Sequence, residues 1–254
     1  MNDPSEDIIG DSEDQYFEIQ ALTKHGHDLL MKDFKHEASE TFLNAYQLAR
    51  KMDNAFIVRG CCFNLGACYV ASGQANVGLK YLEMAIPPNQ NTDGVENVSD
   101  LWYNIAVAHH SIGNIEKACV AYEKALVGYS KLNSFKLEAE CLSKLAVCYH
   151  LLGRLKDSKL AYYKAHEKFE KIGDRSNQAV SLVSLTGIFS ELKDIEGCAK
   201  VLDILLDVCQ ELEDHFLQGI TCCFIFHFSI FNLLTTLNIQ NRRRQYFYLS
   251  LIHI

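Results

Sequence analysis

A chain that repeats itself at one fixed interval has few ways to fold, and this one repeats at a step of 40 residues. Glycines 73, 113 and 153 mark the step, which continues to Asp33 upstream and Lys193 downstream. Seven residues before each mark the side chain is small (Gly26, Gly66, Ala106, Ala146, Thr186), and five after it small again (Ala38, Gly78, Ala118, Ser158, Cys198). Twelve after come Ala45, Ala85, Ala125 and Ala165, with Leu205 as the exception. Large side chains hold the same phase. Leu29, Tyr69, His109, Tyr149 and Phe189 stand four before the mark, and Phe42, Leu82, Tyr122, Tyr162 and Leu202 nine after. Between Phe63 and Ile86 the apolar spacing is that of two amphipathic helices meeting at Gly73, close-packed at the small sites and wedged by Leu65, Tyr69 and Leu82. A helix pair that buries only one face must stack on its neighbours, so a single continuous array is expected.

Paired small residues, an aromatic or aliphatic wedge and a terminal alanine together resemble the tetratricopeptide repeat. The resemblance covers residues 16–223. It implies an all-α fold, a right-handed solenoid of helix-turn-helix repeats with a concave groove. Five repeats are expected at about 16–54, 55–99, 100–138, 139–177 and 178–217. Against the usual period of about 34 residues, a step of 40 implies second helices longer by more than a turn, similar to repeats of LGN/Pins and kinesin light chain type.

Four stretches depart from the pattern. Residues 1–14 hold six acids and no base, a composition that offsets too little ordering entropy and predicts disorder. At Asp33 the hinge lacks glycine, which predicts a turn that is not left-handed. Pro87-Pro88 stop the second helix of the second repeat, and NQNTDGVENVS reads as a loop before a helix capped by Ser99 or Asp100. Beyond Leu217 a sixth repeat begins and loses register at Phe226 and Leu233. Residues 219–241 carry no Asp, Glu, Lys or Arg. Three readings of that tail stay open: an apolar capping helix, a membrane helix opposed by its many polar groups, or non-native sequence, since LSLIHI resembles a translated adapter end.

The formal charge of −8, with one dense basic run at Arg242–Arg244, argues against a nucleic-acid surface. Ten cysteines form no CxxC pair, and three of them take small-residue helix positions, so reduced buried thiols in a cytoplasmic protein are expected. No nucleotide, nucleophile-elbow or metal-protease motif occurs. His109 and His110 are adjacent and point about 100° apart on a helix, so they cannot share a metal. The reading is of a chain with no cofactor, no metal, no small-molecule substrate and no catalytic residues.

Function is expected on the groove wall, where first helices face inward by implication of the resemblance. Nine before each mark runs a ladder of Lys24, Asn64, Asn104, Lys144 and Ser184. Asparagine at the matching position holds extended peptides in related repeats, and its amide offers one acceptor and two donors. Around the ladder stand Phe63, Tyr103, Val107, His110, Ser143 and His150. The mix suits a peptide of alternating apolar and acidic residues, and hence an adaptor or scaffold with a protein partner. The competing reading is a self-associating repeat protein that uses the apolar C-terminal end.

Overall fold

The computed structural model describes the backbone of residues 4–88 and 95–213. Among the described residues every regular element is an α-helix. In order they are α1 (Pro4–Met31), α2 (Lys35–Ala49), α3 (Ala55–Ala71), α4 (Ala75–Met84), α5 (Val95–Ser111), α6 (Ile115–Lys131), α7 (Phe135–Leu151), α8 (Leu155–Lys171), α9 (Arg175–Glu191) and α10 (Ile195–Glu211). This is an all-α helical repeat fold. From α5 onward each helix has 17 residues. The added length is therefore shared by both helices of a pair rather than confined to the second, and helices start at Phe135 and Arg175, four and three residues before the boundaries read from sequence.

The turns explain the spacing. Asp33, Gly73, Gly113, Gly153 and Lys193 all have positive φ, between 56° and 82°. At Gly73 the amide donates to the Val70 carbonyl at 3.0 Å and the Gln74 amide to the Tyr69 carbonyl at 2.8 Å, the paired bonds that satisfy a helix's last carbonyls. Asp33 does the same: its amide reaches Leu30 and the Phe34 amide reaches Leu29, both at 3.0 Å. The expected non-left-handed turn there is corrected. Aspartate tolerates the left-handed region, and its carboxylate pairs with Lys35 at 3.0 Å. Asn133 and Gly173 repeat the positive φ between pairs, and Glu213 has it after α10.

Two further expectations change. The helix α1 begins at Pro4, so residues 4–14 are helical rather than disordered; proline's fixed φ is pre-set for a first helical turn. The helix α5 begins at Val95, so Ser99 and Asp100 lie inside it and neither caps it. Residues 218–254, with all three readings of the tail, lie outside the described residues. No described helix is long and apolar enough to cross a membrane.

The chain divides into two compact units, residues 1–154 and 155–254. In the first, each helix from α1 to α6 packs on the one that follows it, and α1 also touches α3 and α3 touches α5, which sets first helices side by side. At the crossing of α3 on α4 backbone meets backbone. A Cβ at Gly78 would lie 2.6 Å from the Gly66 carbonyl oxygen, and one at Gly66 would lie 2.9 Å from that of Gly78. Small residues at these two marks are therefore a steric requirement. Phe42, Leu65, Leu82, Tyr122 and Tyr129 are buried between helices, each contributing on the order of 2 kcal/mol from apolar burial. The eight described cysteines are buried and form no disulfide, and burial pushes the Cys141 thiol up to about 12.

In the second unit α8 packs on α9 and α9 on α10, around Leu182, Leu185, Ile188, Val201 and Leu202. One polar chain runs through it. Arg175 Nε pairs with Glu211 at 2.6 Å while its Nη1 donates to Gln178 Oε1 at 2.8 Å. With that oxygen accepting, the Gln178 amide nitrogen donates to His166 Nδ1 at 3.2 Å, which leaves the imidazole neutral with its proton on Nε2.

Candidate binding surface on the first helices

On α3 the residues Phe56, Arg59, Gly60, Phe63 and Asn64 share one face, being three to four positions apart. That face is open because α4 is short. It has 10 residues where α6 has 17, and the chain leaves the helix before Pro87. A pocket of about 260 Å³ results, lined by those five residues with Ala85 and Pro87 after α4 and Val98 and Leu101 on α5. The Arg59 guanidinium lies 6.0 Å from the centroid of the Phe56 ring, and Arg59 is the one charged residue of the lining. Gly60 forms an open part of the wall, since a Cβ there would meet nothing within 4 Å.

Of the ten residues singled out in sequence, Phe63 and Asn64 line this pocket and the other eight do not. Asn104 is half-buried on α5 and its Nδ2 donates to the Asp100 carbonyl at 2.9 Å, which leaves one N–H and the amide oxygen for a ligand. Lys24 on α1 and Lys144 on α7 are exposed. Tyr103 serves packing: its ring sits edge-on to Tyr122 at 5.6 Å and to Tyr129 at 6.4 Å, and burial, then Glu140 and Cys141, push its hydroxyl up to about 12. Val107 and His110 are half-buried on α5. On α7 the Ser143 hydroxyl donates to the Ala139 carbonyl at 3.0 Å, and His150 is exposed. Sequence reasoning missed Phe56, Arg59, Val98 and Leu101. The signal for them was Pro87-Pro88, which removes the turns that would cover them.

A second cavity, about 310 Å³, opens between α5 and α6 among Trp102, Ile105, His109, Glu116, Lys117, Val120 and Ala121. Lys124 Nζ sits 3.7 Å from the centroid of the Trp102 ring, a cation–π contact that shields the indole. His109 is buried as the expected wedge, with no hydrogen-bond partner at Nδ1. Burial, then Lys117, hold its pKa below the ordinary value, against an opposing pull from Glu83. Among the described residues no group of three His, Cys, Asp or Glu side chains could hold a metal ion.

The family model described as soluble NSF attachment protein, SNAP, matches residues 9–189. Solved structures share the fold at low identity. One is the Podosopora anserina putative kinesin light chain with nearly identical TPR-like repeats (13% identity, 77% of this chain and 97% of that one, TM-score 0.65). Another is BtubC (BKLC) from P. vanneervenii (15%, 84% and 94%, TM-score 0.65). A Rap protein complexed with Competence and Sporulation Factor also matches (16%, 80% and 57%, TM-score 0.59).

Proposed function

Because the chain belongs to the soluble NSF attachment protein family and is a repeat protein of the tetratricopeptide type, we propose that it is a protein-interaction scaffold. In this reading the side-by-side first helices α1, α3 and α5 hold an extended peptide of a partner. The observation that carries it is the open face of α3, where Asn64 stands at the edge of an apolar pocket and Asn104 occupies the same register on the touching helix. Each amide keeps donors or an acceptor for a peptide backbone, while the apolar wall takes a side chain. A Rap protein of the same fold was solved holding a factor, which supports a binding role. No role for nucleic acid, cofactor or metal enters this reading. Buried cysteines without a disulfide suit a reducing compartment, and we place the scaffold in the cytoplasm.

The test is a random peptide library panned on the purified full chain, with the selected peptides then titrated against Asn64→Ala combined with Asn104→Ala. A loss of about tenfold in affinity at unchanged helicity is expected, from about 1 kcal/mol net per amide at a partly wet surface. Equal binding by the double variant rejects the clamp.

A further inference from the structure

We infer that the exposed face of α6, together with the pocket between α5 and α6, docks a helix of a partner protein that carries apolar residues along its middle, one of them an aromatic ring, and acids along one edge only. The surface goes beyond the groove reading above and does not rest on it. At 100° per residue, Trp102, Ile105 and His109 lie on the opposite side of α5 from Asn104 and Val107.

On α6 the residues Lys117, Val120, Lys124, Val127 and Lys131 follow at alternate steps of three and four, the spacing that keeps side chains on one stripe along which a second helix can lie. All five are exposed, Val120 at 53% and Val127 at 59%. Lys124 is held over the Trp102 ring, whereas Lys117 and Lys131 enter no ion pair among the described residues. One position back along the helix stand Glu116 and Glu123, and Glu123 accepts the Tyr149 hydroxyl at 2.7 Å. The face thus has valines in the middle, lysines toward one edge and glutamates on the other. Its complement is a helix whose apolar residues cover the valines and whose acids meet the lysines. Acids on the second edge would face Glu116 and Glu123 and be repelled, so that edge is neutral or basic.

The pocket calls for the ring. Its volume of about 310 Å³ is lined from Trp102, Ile105 and His109 on α5 and from residues 116–121 on α6, all around the Gly113 turn. One repeat earlier the same place is closed from within. Tyr81 on α4 stacks on Tyr69 at 5.8 Å and meets Tyr46 edge-on at 5.5 Å. Advancing by 40 residues carries those three rings to Ala121, His109 and Ile86. Trp102, which stands where Cys62 does, is drawn to Lys124 and forms a wall. His109 is 8% exposed and lacks a hydrogen-bond partner at Nδ1, so the smaller ring is not compensated by a polar contact there. An apolar cavity of roughly 150 Å³ already takes a benzene ring, and a phenol ring therefore has room. The apolar surface continues from the pocket to Val127, two turns further along α6, which a polypeptide covers and a lone small molecule does not.

The probes are capped peptides of about 18 residues, long enough to hold some helix alone. The first has leucines at three- and four-residue spacing, one tyrosine among them and glutamates along one edge. The second replaces the tyrosine by alanine, and the third replaces the glutamates by lysines. Each is titrated into the full chain with 13C-labelled methyl groups and read at Ile105, Val120 and Val127. The first should shift all three residues saturably. The second should lose the Ile105 shift and bind about fivefold more weakly, from the unburied ring. The third should not bind. Lys117→Glu combined with Lys131→Glu changes exposed side chains only; it should weaken the first peptide about tenfold and admit the third while circular dichroism stays native. Absence of a saturable shift with the first peptide, or equal binding by the double variant, overturns the docking face. An Ile105 shift retained by the alanine peptide overturns the seat for the ring. Concentration-dependent sedimentation of the chain alone that the double variant abolishes assigns the face to a second copy and overturns the partner. None of these readouts involves Asn64 or Asn104, so the clamp stands or falls separately.

Discussion

The α3–α4 and α5–α6 pairs start from the same register and end differently. Both turn on a glycine with positive φ, at Gly73 and Gly113, and both set a small residue where their helices cross. In α5–α6 the second helix runs its full 17 residues and returns Tyr129 to the core. In α3–α4 it stops after 10, and the space beside Phe63 stays open. The wedge differs too. Tyr69 stacks on Tyr81 at 5.8 Å, while its counterpart His109 is buried with an unpartnered Nδ1. One pair closes over a ring of its own, and the other keeps an apolar wall that no described residue covers. Within a repeat fold, a departure from the repeat is thus the place to look for binding.

The comparison can be broken most forcefully at Tyr129. Tyr129→Ala would open in α5–α6 the space that α3–α4 has already, and it should cost about 4 kcal/mol in urea unfolding, as for other buried aromatic truncations. A cost below about 1 kcal/mol would mean that the two spaces are not equivalent. Next in size is Gly78→Ala, whose new Cβ meets the backbone of α3; a loss of about 3 kcal/mol is expected from overpacking that only a shift of the helices can relieve. An unchanged unfolding midpoint would show that the crossing is looser than the geometry requires.

Acid should expose the cost of the wedge. Burial lowers the pKa of His109, and also of His166 in the second unit, below the ordinary 6.5. The unfolded chain then binds protons that the folded chain refuses, so their contribution is complete above about pH 6.5 and is lost as pH falls below it. Urea midpoints at pH 7.5 and pH 5.5 should fall in that order, and His109→Tyr, which restores the residue of Tyr69 and Tyr149, should reduce the difference. A flat profile in the parent chain would contradict this. The smallest effect belongs to Gly60→Ala. Its methyl group enters open space on a helix, so a gain of roughly 0.5–1 kcal/mol in melting experiments is expected, opposite in sign to Gly78→Ala one turn of the hairpin away.

Much of the fold was legible because helix packing constrains residue size. The phase of Gly66, Gly78 and Ala85 against Leu65 and Leu82 located the crossings, and glycine located the turns. Asp33 was misread because sequence shows that an aspartate is present but not that the two carbonyls of Leu29 and Leu30 demand the left-handed turn it adopts. Helix starts at Pro4 and Val95 were missed because polar composition favours water without forbidding a helix that tertiary contacts support further along. The lining of the pocket beside α3 was half legible. Phe63 and Asn64 were reached by register, whereas Tyr103 looked like a groove ring and is instead bound into the core by Tyr129, a contact between helices that no local pattern displays. Arg59 and Leu101 became wall residues only through the absence of α4's last turns.

The most direct measurement restores those turns. Replacing residues 86–91, IPPNQN, by the LVGYSK of residues 126–131 keeps the length and register of the chain and supplies a tyrosine at position 89. The account expects the graft to lengthen α4, to raise the melting temperature, and to eliminate the methyl shifts that a library-selected peptide causes at Val98 and Leu101. A folded graft with added helix that still binds the selected peptide at those residues would contradict the claim that the short α4 makes the site.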